Sequence, residues 1–161
     1  MYFTFVYPYL IYCIEVWGNA FYSHMTPLIN IQKKTIRTIS FSHYLDHTAP
    51  IFKKLNILNL KKLVLQRISL LMFKQYLNIL PSPIHELFTI NSTQHNYNTR
   101  QHTHIHTQIG RTEHVYKLFS FHGTNIWNHM SNKIPLDVSY ACYKKLSKKY
   151  IQENDIPYRI A

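Results

Sequence analysis

A chain of 161 residues is one domain of ordinary size, long enough to remove roughly 70% of its unfolded surface from water. Hydrophobic residues at 46% and aromatics at 15% exclude disorder over most of the length, and only 3 glycines exclude Gly-rich phosphate loops, collagen-like sequence and turn-rich all-β folds. Lys+Arg 18 against Asp+Glu 7 leave a net charge of +11, which calls for an anionic partner, nucleic acid or a membrane surface.

Met1 to Trp17 is apolar and aromatic, but no Lys or Arg precedes Lys33, so the basic lead of a signal peptide is missing. Pro8 interrupts the stretch and Glu15 closes it, short of the roughly 20 apolar residues that span a bilayer. It reads as a buried helix beginning near its proline and ending at Trp17-Gly18-Asn19, with Gly18 as a left-handed cap. A membrane anchor is the competing reading. A start this rich in core-type residues also suggests a chain that begins inside a larger fold. The second helix is expected from about Thr26-Pro27, a Thr N-cap with Pro following, to about Ile39. Its apolar face carries Leu28, Ile29, Ile36 and Ile39, and Lys33, Lys34 and Arg37 lie on another.

A short helix opens at Asp46–Pro50 and runs through Leu55, and the longest follows from about Leu58 to Leu77. The latter is apolar nearly all round, which places it in the core, with Arg67 and Lys74 breaking its surface. Pro81-Ser82-Pro83 stops it. From Thr89 to Gln108 the chain is rich in Asn, Thr, His and Gln and reads as loop with extended pieces. Val115, Leu118, Phe119 and Phe121 suit a strand or hairpin arm, and Asn125 to Asn132 suits one or two helical turns. The last helix starts at an N-cap at Ser139. It sets Tyr143, Leu146 and Tyr150 on one side and Lys144, Lys145, Lys148 and Lys149 mostly on the other. The fold class is therefore mainly α, with an irregular or short β-hairpin segment before a basic C-terminal helix. A soft boundary near 89–91 divides it into 1–90 and 91–161.

The charge is clustered. Lys33, Lys34, Arg37, Lys53, Lys54, Lys61, Lys62, Arg67 and Lys74 share a stretch whose only acid is Asp46, and Lys133, Lys144, Lys145, Lys148, Lys149 and Arg159 crowd the end. Basic helix faces beside aromatics hold a phosphate backbone without reading bases. Solvated lysine faces are the alternative. His102, His104 and His106 would share one face of an extended chain, and His95 or His114 would complete a set around zinc. That spacing is no recognised ligand motif, and a polar surface strand explains it as well. Two-metal phosphoryl chemistry needs convergent carboxylates, whereas Glu15, Asp46, Glu86, Glu113, Asp137, Glu153 and Asp155 include no Asp-Asp pair. Nucleophile and phosphate-loop signatures are absent, so no catalysis and no cofactor is expected of this chain alone. Two cysteines, Cys13 and Cys142, are too few for a disulfide framework and make a reducing, intracellular compartment (nuclear or cytoplasmic) the default.

Several stretches, in order, resemble one family. Tyr7-Pro8-Tyr9-Leu10-Ile11-Tyr12-Cys13 closing on Trp17-Gly18 resembles the Y-P-x-L-x-Y-C-x-x-x-W-G helix after the polymerase core of jockey-type non-LTR (LINE-like) retrotransposon reverse transcriptases. Ile31-Gln32-Lys33-Lys34 with Arg37 and Ile39 is similar to that family's L-Q-K-x-x-x-R-x-I helix, and His47-Thr48-Ala49-Pro50-Ile51-Phe52 with Leu55, Ile57 and Leu58 to its next segment. His95-Asn96-Tyr97-Asn98-Thr99-Arg100 resembles H-N-Y-N-T-R. Phe121, Gly123 and Ile126-Trp127-Asn128 with Ile134 resemble F-x-G-P-x-I-W-N-x-L-P-x-x-I, and Tyr143-Lys144-Lys145-Leu146 the closing F-K-x-x-L-K helix. Thr124 replaces the family's Pro, and Met130-Ser131 its Leu-Pro.

The resemblance implies a helical thumb-like bundle over 1–90 and a C-terminal extension over 91–161, from a truncated or degenerate copy. The family's catalytic carboxylates, and the Mg²⁺ they hold, lie upstream of the residues present. Its expected partners are RNA, DNA or an RNA–DNA hybrid, and the upstream polymerase core. Lys33, Lys34, Arg37, Lys53 and Lys54 would touch phosphates with Lys144, Lys145 and Lys148, while Arg67 and Lys74 border the groove. Tyr97 and Arg100 would stack on or bind the strand, unless the Asn-rich hexapeptide is a turn-forming element. The alternatives are a relic without specific binding and a basic protein on an anionic membrane surface.

Overall fold

The computed structural model describes residues 1–94, 97, 102, 104–154 and 156. They form two compact units, Met1–Arg67 and Ile68–Tyr158. Helix dominates both, and among the described residues there is no strand.

In the first unit a π-helical turn, Tyr2–Val6, leads into α1 (Tyr7–Ile11), α2 (Ile14–Trp17), α3 (Tyr22–Ser40), α4 (Thr48–Lys54) and the start of α5 (Leu60–Tyr76). The expected single N-terminal helix is thus broken twice. Pro8 has no N–H to give the Thr4 carbonyl, and the turn before it widens so that the Tyr7 N–H reaches the Tyr2 carbonyl. At the second break Tyr12 is extended and Cys13 is left-handed (φ 49°). The Trp17 indole donates to the Tyr12 carbonyl at 2.6 Å and so satisfies an acceptor that the break exposes. Gly18 is no left-handed cap, since its φ is −64°. It is needed for close approach: a Cβ there would collide with the Ile14 carbonyl and lie 2.8 Å from the Val64 side chain.

α3 begins a turn earlier than the Thr-Pro signal implies, leaving Pro27 inside the helix. The lost proline hydrogen bond is tolerated because the added turn buries Met25 and lays the Lys61 ammonium 4.6 Å from the Tyr22 ring centroid. Gln32, on the buried face of α3, gathers three partners. Its Nε2 donates to the Tyr2 hydroxyl at 2.8 Å and the Leu58 carbonyl at 3.1 Å, and its Oε1 accepts from the Leu60 N–H at 2.8 Å. That last bond fills one of the orphan donors at the start of α5. Burial pushes the Tyr2 phenol's pKa up, against the lowering effect of its Gln32 bond.

The second unit contains the rest of α5, then α6 (Ser82–His85), α7 (Asn91–Gln94), α8 (Glu113–Lys117), α9 (Phe119–Met130) and α10 (Tyr140–Glu153). The Phe73 ring stacks on Tyr143 at 4.0 Å, and the Tyr143 hydroxyl is bonded to Ser69 Oγ at 2.9 Å. Trp127 meets Tyr76 at 5.6 Å and Phe119 meets Phe88 at 5.5 Å. The expected β-hairpin is not formed. Val115 falls on α8 and Phe119 and Phe121 on α9, with the single extended residue Leu118 between the two helices. Spacings of three and four suit a helix as well as a short apolar strand, and the contact of Phe119 with Phe88 decides for the helix. α9 therefore continues through the one or two turns expected near Ile126 and Trp127.

The extended pairing among the described residues is an isolated antiparallel bridge, Ile90 to Ile105. The His106 N–H donates to the Thr89 carbonyl and the Asn91 N–H to the His104 carbonyl, which leaves the N–H and C=O of Ile105 facing away. Asn128 takes both: its Oδ1 accepts from the Ile105 N–H at 3.1 Å and its Nδ2 donates to the Ile105 carbonyl at 2.9 Å. One side-chain amide stands in for the next strand. α10 starts where expected, with Ser139 Oγ accepting from the Cys142 N–H. Buried Tyr143, Ser147 and Ile151 mark its inner face.

Candidate nucleic-acid interface

On α3, Lys34 is exposed and Lys33 and Arg37 are half-buried; on α4, which packs against α3, Lys53 and Lys54 are exposed. Among the described residues no acidic side chain lies within ion-pair distance of these four lysines. Asp46, the one acid in the stretch, does not neutralise Arg37. Its carboxylate accepts from the His43 N–H at 2.8 Å, and Arg37 Nε donates instead to its main-chain carbonyl at 3.0 Å. The Arg37 guanidinium also lies 6.0 Å from the Tyr44 ring centroid. Two packed helices thus concentrate five cationic side chains with no carboxylate paired to them among the described residues.

The other expected basic residues have different surroundings. Arg67 is bound to Glu15, Nε to Oε1 at 2.9 Å, in a half-buried ion pair. Lys74, in the second unit, lies 5.4 Å from the Tyr140 ring centroid. On α10, Lys144 and Lys145 are exposed and Lys148 is half-buried, where burial lowers its ammonium pKa. Tyr97 is exposed, and Arg100 lies outside the described residues.

His104 bonds to Asn132 at 3.3 Å and His106 to Asn91 at 3.2 Å. Among the described residues no group of three or more His, Cys, Asp or Glu is placed to hold a metal ion, and His95 lies outside them. A cleft of about 460 Å³ in the second unit is walled by Tyr76, Phe88 and Trp127, with Asn78, His104 and Asn132 among its polar groups. Among the described residues no carboxylate, lysine or arginine lines it. Among the described residues no helix is long and apolar enough to cross a membrane.

Sequence patterning did not anticipate the Glu15–Arg67 pair or the exposed aromatics Phe41 and Tyr44 that follow α3. The pair joins residues far apart in the chain, which local spacing cannot show. Phe41 and Tyr44 were within reach of a local reading, being aromatic residues just past a basic helix in a stretch with no apolar periodicity. No protein-family model, curated protein or solved structure matches this chain.

Proposed function

We propose that the chain binds nucleic acid through the phosphate backbone, as the thumb-like and post-thumb portion of a jockey-type retrotransposon reverse transcriptase whose catalytic core lies upstream. The observation that carries this is the cationic face of α3 and α4, where Lys33, Lys34, Arg37, Lys53 and Lys54 have no carboxylate partner among the described residues. A polyanion supplies the missing countercharge, and binding of this kind needs no base recognition. The ordered motifs in the sequence support the family assignment, and the exposed, unpaired Cys13 and Cys142 suit a reducing compartment.

Fluorescence anisotropy with a labelled RNA–DNA duplex tests the binding. Affinity should fall steeply between low and moderate salt, and the triple variant K33E/K34E/R37E should flatten the log–log salt slope by about 0.9 for each phosphate no longer neutralised. Binding indifferent to salt, or unchanged in the triple variant, contradicts it.

A second reading is favoured by the row Phe3, Phe5, Tyr9, Tyr12 and Val16, all exposed at the start of the first unit. Such a surface suits a fragment that has lost the part which covered it, and it predicts salt-promoted self-association in light scattering.

A further inference from the structure

Three helices end with the same pattern of hydrogen bonds and a left-handed residue, yet none of the 3 glycines occupies that position. The left-handed residue just beyond α4 is Asn56 (φ 52°) and just beyond α5 is Asn78 (φ 56°), the residue type that tolerates this conformation best after glycine. α3 ends at Phe41 (φ 53°), whose N–H reaches the Thr38 carbonyl while the Ser42 N–H reaches the Arg37 carbonyl. An aromatic residue is strained there, and burial offers no compensation, since Phe41 is 98% exposed. Tyr44 follows at 70% exposure, with the Arg37 guanidinium against its ring. The turn beneath them is well tied: Arg37 to the Asp46 carbonyl, Asp46 to the His43 N–H, and Ser40 Oγ to Ser42 Oγ at 2.7 Å.

We propose that this turn, from Phe41 to His47, is a stacking platform for unpaired bases, so that the cationic face of α3 and α4 holds a single-stranded segment. The proposal rests on nucleic-acid binding by those helices and adds the strand state of the ligand. Two exposed rings on a braced turn present flat faces at little ordering cost, and every base has a face that stacks on them. The adjoining uncompensated lysines select a polyanion over an uncharged apolar partner. Arg37 links the two functions, with its charge beside the phosphates and its guanidinium on the Tyr44 ring.

The test uses the full chain, a 20-nucleotide oligo(dT), a blunt duplex of equal length, and vesicles of phosphatidylcholine with phosphatidylserine. The double variant F41G/Y44A puts glycine where the backbone favours it and removes two solvent-exposed rings, so the melting temperature should not fall. Oligo(dT) binding should weaken by roughly tenfold, from the loss of one to two stacked bases, while duplex binding changes by less than about twofold. Photo-cross-linking with 5-iododeoxyuridine in the oligonucleotide should label Phe41 or Tyr44, a result that a merely structural role would not produce. Equal losses for single strand and duplex, or no loss for either, overturn the platform and leave backbone binding standing. No binding of either nucleic acid by the unaltered chain overturns both. Vesicle binding that F41G/Y44A abolishes, with oligo(dT) binding intact, assigns the rings to a membrane and overturns the proposal.

Discussion

At the scale of single residues, the most consequential side chain is an uncharged one. Gln32 was visible in the sequence as part of Ile31-Gln32-Lys33-Lys34, where the lysines attract attention and the glutamine has no evident task. Its task is set by partners on other elements, which no local pattern reports. Replacing it with leucine keeps the volume but strands the Leu60 N–H and the Tyr2 hydroxyl in a buried setting. Each stranded group costs about 1–3 kcal/mol, so Gln32→Leu should lower the unfolding free energy by about 2–6 kcal/mol in urea denaturation. A loss within about 0.5 kcal/mol, the range of ordinary surface substitutions, would show that water reaches these groups.

Among elements, the sequence located helices better than their ends. Thr26-Pro27 is a sound local start signal, yet burial of Met25 extends α3 past it. Ser139 is an equally local signal, and nothing competes with it, so α10 begins there. The stretch from Val115 to Phe121 was ambiguous because three- and four-residue apolar spacings do not separate helix from strand over so short a run. The role of Asn128 was legible only as a letter in a motif. Because its amide completes the pairing of Ile105, Asn128→Leu should expose the Ile105 amide to exchange. Hydrogen exchange should show protection lost at Ile105 while the α10 amides keep theirs. Retained protection at Ile105 would mean that another group supplies the acceptor.

For the molecule as a whole, the charge excess read from composition comes with a pH dependence. Eleven histidines accompany the +11 charge, and one of them, His122, is buried, which pulls its pKa down from 6.5 to about 4. Unfolding returns that group to its ordinary value, so between pH 6.5 and 4 the unfolded chain binds the extra proton. Stability is then full above about pH 6.5 and declines as pH falls toward 4, by at most about 3 kcal/mol from this residue. Thermal melts from pH 7.5 to 4 should show it, and His122→Gln should reduce the slope; an unchanged slope would place the effect elsewhere.

The Gln32 network also bears on the order in which the first unit forms. Its partners are 26 to 30 residues away along the chain, so no early, local event of folding can assemble it. Helices can form within microseconds, but this network waits for chain closure over three separate segments. A side chain whose bonds form after the rate-limiting step governs how long the folded state survives rather than how quickly it is reached. Gln32 is then a latch in the kinetic sense: loss of its amide should speed escape from the native state and leave the approach to it nearly unchanged.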